Sequence, residues 1–160
     1  MTEFKRILFV GVLLTGVFVV PGMLGGTRVM NQPKRLLFVC VENANRSQMA
    51  QAFARIHGGA LVEAYSAGSR PRGQVNPRAV EFMKEVGYDL ATHQSKSLDA
   101  LPDVEFDVAV TMGCGDQCPL VRAKRRLDWD IPDPKDLPAD QVRAVRDLIE
   151  GKVKTLLEEL

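Results

Sequence analysis

The sequence predicts an α/β domain built on a parallel sheet with helices on both faces. Three observations lead there. Apolar runs of strand length recur at Leu36-Leu37-Phe38-Val39, Leu61 to Gly68 and Asp107 to Met112, each closing on a polar or glycine-containing loop. Stretches with apolar residues at helical spacing separate and follow them. Finally, Cys40, Ser66, the loop around Cys114 and Asp133 all follow predicted strands. Parallel sheets with right-handed crossovers bind ligands outside the carboxyl ends of their strands, so these residues are expected to converge on one face.

The chain opens on a segment unlike the rest. Lys5 and Arg6 precede a run from Ile7 to Gly26 that carries no charge. A run of about 20 such residues just spans a bilayer, although Pro21, Gly22, Gly25 and Gly26 weaken its second half. Residues 1–30 are therefore read as an apolar N-terminal segment with three alternatives: a membrane anchor through residues 7–26, a cleaved signal, or a misassigned start with Met30 as the natural entry. Basic residues flank the run on both sides (Lys5, Arg6; Arg28, Lys34, Arg35), so charge gives it no orientation. Residues 31–160 are read as the folded domain.

Within that domain the first strand, Leu36 to Val39, runs into Cys40 and a polar loop. A helix is predicted over Gln48 to Arg55. The second strand ends at Gly68, and Ser69 to Gln74 is a polar loop. Asn76-Pro77 is a helix start, a capping residue followed by proline at the first helical position. Val80, Met83 and Val86 continue at helical spacing, and Gly87 suits the position after the helix. After the third strand, Gly113 to Pro119 is a loop. A short fourth strand is predicted near Arg126 to Trp129, while the basic residues Arg122, Lys124, Arg125 and Arg126 read as a solvated face. Ile131-Pro132-Asp133-Pro134 must be a loop. From Pro138 to Leu160, the positions Val142, Val145, Ile149, Val153, Leu156 and Leu160 form one apolar face of a long terminal helix.

Composition narrows the function. Of 160 residues, 46% are hydrophobic and 26% charged, as in ordinary globular proteins, and the formal net charge of +1 gives no sign of a nucleic-acid partner. Three cysteines make an odd count, which argues against a secreted disulfide framework and for working thiols in a reducing, cytoplasmic compartment. The alternative is membrane association through the N-terminal segment.

The chemistry centres on Cys40-Val41-Glu42-Asn43-Ala44-Asn45-Arg46-Ser47. A cysteine leaves a strand, and an arginine and a serine open the next helix. Loop amides and the helix N-terminus together make a cradle for a tetrahedral anion, and Arg46 adds a fork for two of its oxygens. The same field favours the thiolate of Cys40. Ser47 is positioned to hydrogen-bond the sulfur, Asn43 to brace the loop with its amide, and Ala44 and Asn45 to supply loop amides. Such a thiolate can attack phosphorus or arsenic, and Asp133, held between two prolines, is the candidate general acid. The bland readings are a small core cysteine for Cys40 and a turn residue for Asp133. Cys114 and Cys118 share one loop, close enough for a disulfide relay or for a pair of structural thiols. A metal site is not expected, because a closed zinc site wants four ligands and only His57 and His93 remain as helpers. Glu42 is out of place, since a carboxylate in an anion loop repels the ligand unless it points to solvent.

From Lys34 to Leu160 the chain resembles the low-molecular-weight protein tyrosine phosphatases and, among them, the arsenate reductases. The resemblance rests on Cys40 to Ser47, on Tyr65-Ser66-Ala67-Gly68, on Asp133-Pro134 and on Val110 to Pro119, where the reductase branch carries redox cysteines. It implies a four-stranded parallel sheet with flanking helices, and Ser66 as loop support. It also implies that Cys40 attacks arsenate, Arg46 binds its oxygens, Cys114 resolves the adduct, and Cys118 then closes a Cys114–Cys118 disulfide. No bound cofactor is implied, but an external reductant is: thioredoxin, a thioredoxin-like protein or a low-molecular-weight thiol. The alternative is a phosphotyrosine phosphatase working through a phosphocysteine. Related loops commonly carry glycine at the position of Glu42 and cysteine at that of Asn45, and phosphatases place aromatics where Lys135-Asp136 stands.

Overall fold

The computed structural model describes residues 32–113 and 121–160. The N-terminal segment, including residues 7–26, and both Cys114 and Cys118 lie outside the described residues. Among the described residues no helix is long and apolar enough to cross a membrane.

Four parallel strands form one sheet: β1 (Lys34–Cys40), β2 (Val62–Gly68), β3 (Phe106–Met112) and β4 (Ala123–Trp129), in spatial order β2-β1-β3-β4. The order reverses between β1 and β3. The crevice outside their carboxyl ends is the topological switch point, where open parallel sheets bind ligands. The register sets Cys40 opposite Gly68. β1 is central and reads as a continuous apolar run because both of its faces are covered; Leu36, Leu37, Phe38 and Val39 are all fully buried.

Those two faces feed two cores. Leu36, Phe38, Val108 and Val110 meet residues of α1 (Arg46–Gly58), α2 (Pro77–Lys84) and α3 (Ala139–Glu158), among them Phe53, Met83 and Ile149. On the other face Leu37, Val39 and Ala109 are covered by Leu98, Leu101 and Val104, in and after a 3₁₀ turn at Leu98–Ala100. Helical cover on that face is thus a single short turn among the described residues. Removing a side chain such as Phe38 from water contributes about 1.5–3 kcal/mol.

Local signals act as their chemistry requires. Asn76 caps α2, its Oδ1 accepting from the Arg78 amide at 3.0 Å, with Pro77 at the first position. The helix stops at Lys84, earlier than Val86 would suggest. Gly87 takes a φ of +80°, and the Gly87 and Tyr88 amides bond back to Lys84 and Met83 in a Schellman closure. β4 is longer than predicted. The basic run lies along it, and an edge strand lined with charge resists pairing with a second chain. In α3 the predicted apolar face is buried from Val142 to Leu156, whereas Leu160 lies beyond the helix end and is 41% exposed.

Candidate active site

The loop after β1 is held from outside. The carbonyl of Val41 accepts from the Arg70 amide at 2.8 Å, and that of Glu42 from the Arg72 amide at 3.1 Å and Ser95 Oγ at 2.9 Å. The Asn43 carbonyl accepts from Gln48 Nε2 at 3.0 Å, that of Ala44 from the Asn76 amide at 2.9 Å, and that of Asn45 from the Met49 amide at 3.0 Å. Five consecutive carbonyls are therefore engaged outside the loop. In a trans peptide the next residue's N–H points opposite to the carbonyl, so the amides of Glu42 to Arg46 point away from the partners that hold these carbonyls.

Close approach of β2 completes the clamp. A Cβ on Gly68 would lie 2.6 Å from the Val41 carbonyl oxygen and 2.9 Å from the Asn43 nitrogen, so only glycine fits there. Asn43 is the one non-glycine residue with positive φ among the described residues, at 48°. Asparagine tolerates that region, and its side chain locks the conformation. Asn43 Oδ1 accepts from the Lys96 amide at 2.9 Å and from Gln48 Nε2 at 3.0 Å, while Nδ2 donates to Ser47 Oγ at 2.8 Å.

Ser47 Oγ in turn lies 3.0 Å from Cys40 Sγ. Because it already accepts from Asn43, its own proton is available to the sulfur. Cys40, Asn43 and Ser47 are all buried. The network continues outward through Gln48, whose Oε1 meets His93 Nδ1 at 2.9 Å; His93 Nε2 faces Tyr88 Oη at 2.9 Å and Arg55 Nη1 at 3.1 Å. The amide oxygen of Gln48 can only accept, so His93 carries its proton on Nδ1 and Nε2 accepts. Burial, with the charges of Arg55 and Lys96, holds its pKa down to about 4 and keeps the ring neutral at physiological pH.

Cys40, Val41, Glu42, Ala44, Asn45, Arg46 and Asp133 line a pocket of about 170 Å³. Arg46 opens α1, so its guanidinium and the helix N-terminus act on the same space. Its Nη1 donates to the Ile131 carbonyl at 2.9 Å, and its Nη2 lies 3.5 Å from Asp133 Oδ2. Gly113, with φ +64°, leaves room for it: a Cβ there would stand 3.1 Å from Arg46 Nη1. Asp133 is half exposed at the mouth. Glu42 faces Arg72 and Lys135. Among the described residues no group of three His, Cys, Asp or Glu side chains is placed to hold a metal ion.

The structure therefore brings Cys40, Ala44, Asn45, Arg46 and Asp133 around one pocket, with Asn43 and Ser47 bracing it from within the loop. Ser66 is placed elsewhere. It lies inside β2 rather than after it, fully buried, and donates to Gln51 Oε1 on α1 at 2.6 Å. Its role is to tie strand to helix; in a parallel strand only the last residues reach the carboxyl-end crevice, and here Gly68 does so. The sequence reading gave no part to Gln48, Gln51 or Gly113, and considered His93 as a helper to a metal.

Comparisons place these features in a known setting. Residues 35–160 match the family described as low molecular weight phosphotyrosine protein phosphatase. The glutaredoxin arsenate reductase of Synechocystis is 30% identical over 130 residues, covering 79% of this chain and 98% of that protein. A solved structure described as an arsenate reductase in the phosphate binding state matches with a TM-score of 0.72 at 31% identity, covering 79% of this chain and 98% of that one. The thioredoxin-dependent arsenate reductase of Corynebacterium glutamicum matches with a TM-score of 0.65 at 32% identity, covering 82% of this chain and 63% of that one. With the family matched over nearly all of the domain, the chain belongs to the low molecular weight phosphotyrosine protein phosphatases.

Proposed function

We propose that this protein is an arsenate reductase in which the Cys40 thiolate attacks arsenate held by the loop amides and Arg46. The observation that carries the reading is the outward clamping of the carbonyls of Val41 to Asn45 around a sulfur that Ser47 is placed to hydrogen-bond. The similarity to arsenate reductases supports arsenic over phosphorus as the element attacked.

Atoms and electrons balance at each step. Sulfur of Cys40 bonds to As(V), and an arsenate oxygen leaves as water, with Asp133 the proton donor at the pocket mouth. The thiolate of Cys114 attacks the Cys40 sulfur. The S–As bond breaks with its electron pair passing to arsenic, which departs as arsenite, and a Cys40–Cys114 disulfide remains. Cys118 then attacks Cys114, freeing Cys40 as thiolate and leaving a Cys114–Cys118 disulfide. An external dithiol supplies the two electrons that reopen it. The names of two relatives point to thioredoxin or glutaredoxin as that donor. These thiols work in a reducing compartment, and the cytoplasm is the proposed location.

The test is arsenite production from arsenate by the full chain with thioredoxin, thioredoxin reductase and NADPH, repeated with glutaredoxin and glutathione, beside aryl phosphate hydrolysis by the same sample. Sustained arsenite formation with either donor is expected. Hydrolysis alone, with no arsenite under any donor, would assign the pocket to phosphate ester cleavage instead.

A further inference from the structure

Glu42 is a carboxylate on the wall of an anion pocket, and its surroundings explain how the pocket tolerates it. Its Oε2 lies 3.5 Å from Arg72 Nη1 and its Oε1 lies 4.0 Å from Lys135 Nζ. The two cations come from different segments, Arg72 from the loop after β2 and Lys135 from the turn whose amide bonds Asp133 Oδ1 at 3.2 Å. The main chain of Glu42 is pinned by the Arg72 amide and Ser95 Oγ, so the carboxylate is held at the rim.

Stability does not account for this arrangement. The three side chains are 37%, 46% and 42% exposed, and ion pairs so exposed contribute about 0–1 kcal/mol. The electrostatics of the pocket change more. Among the described residues that line it, only Arg46 is cationic, and Asp133 already sits against it. Among the described residues, Arg72 and Lys135 are the cations that Glu42 reaches, and their charge is directed to its carboxylate.

We propose that Glu42 sets the oxyanion affinity of this pocket by holding Arg72 and Lys135 as its own counter-ions and so withholding them from the bound anion. This rests on the reading of the pocket as an oxyanion site and is independent of the redox steps. The pocket then favours a ligand that satisfies the cradle and Arg46 first, and competing anions gain little from the rim. Neutralising the carboxylate as Glu42→Gln would release both cations toward the ligand.

The test is calorimetric titration of the full chain with inorganic phosphate, which needs no turnover and no reductant. Glu42→Gln is expected to bind phosphate about tenfold more tightly at low ionic strength, with the gain shrinking as salt is added. Glu42→Asp, which keeps the charge, is expected to stay close to the parent. In an Arg72→Ala/Lys135→Ala background, Glu42→Gln is expected to change affinity by less than about twofold. An unchanged affinity in Glu42→Gln overturns the proposal. So does an equal gain without the two cations, which would mean direct repulsion alone. If neither the parent nor Glu42→Gln binds phosphate at millimolar concentration, the oxyanion reading falls, and the role of Glu42 with it.

Discussion

Ser47 Oγ sits 3.0 Å from Cys40 Sγ while accepting the amide proton of Asn43 at 2.8 Å. The acceptor capacity of the hydroxyl is thereby directed inward and its proton toward the sulfur. A residue at the start of α1 thus meets a residue at the end of β1, and the side chain of a left-handed asparagine holds that contact in place.

Replacing Ser47 by alanine removes that donor. A hydrogen bond to a group that carries charge contributes about 1.5–3 kcal/mol, so alkylation of Cys40 is expected to slow at least tenfold. Iodoacetamide labelling of the Cys40 peptide near pH 6.5, followed by mass spectrometry, reads this directly. Equal labelling rates would mean that the hydroxyl does not act on the sulfur.

Gly68→Ala places a methyl group within 3 Å of Val41 and Asn43. Because the contact is with backbone, the loop must shift. A loss of about 1–3 kcal/mol in denaturant unfolding is expected, together with weaker phosphate binding. Gly73→Ala is the control: nothing lies near its Cβ, and its φ of +83° strains only the exposed loop. Its phosphate affinity is expected to remain near the parent value.

His93 makes stability depend on pH. Its pKa is about 4 in the folded chain against an unfolded value near 6.5, so between those values the unfolded chain binds the proton more readily. The contribution is fully present above about pH 6.5 and is lost as pH falls toward 4. Between pH 7 and pH 5 the parent is expected to lose about 1 kcal/mol from this group, solvent around the partly exposed ring screening the full effect. His93→Gln, which cannot titrate, is expected to lose correspondingly less. Parallel acid dependences in the two proteins would remove His93 as the cause.

Asp133 faces Arg46 at 3.5 Å from the pocket mouth. As a general acid it is expected to contribute about 10²–10⁴ in rate where the leaving oxygen needs a proton. Asp133→Asn is therefore expected to reduce any aryl phosphate hydrolysis by that factor. It should leave phosphate binding equal or tighter, because the countercharge on Arg46 is gone. A hydrolysis rate indifferent to this change would leave Asp133 as a turn residue.

The readable parts of the sequence were those in which neighbours in the chain make the structure. The apolar run of β1, the Asn76-Pro77 cap, the period of α3 and the Cys40-to-Ser47 loop each carry their signal within a few residues. The fully buried Ser66 was misplaced because a strand's register decides which of its residues reach the crevice, and register depends on pairing. The Gln48–His93 contact joins residues 45 apart, and the clamps from Arg70, Arg72 and Asn76 come from beyond β2. No local pattern announces such contacts. The charge of Glu42 was conspicuous in the sequence, but its partners Arg72 and Lys135 became visible only when the fold brought three segments to one rim.

The most direct measurement of the central claim is a single turnover without reductant. The fully reduced chain is mixed with excess arsenate, quenched in acid, and mapped for disulfides while arsenite is counted. One arsenite per chain is expected, with a Cys114–Cys118 disulfide and a free Cys40. Cys118→Ser should stop at a Cys40–Cys114 disulfide, and Cys40→Ser should yield no arsenite. Arsenite formed while all three thiols remain reduced, or at an undiminished multi-turnover rate in Cys114→Ser and Cys118→Ser, would contradict the relay.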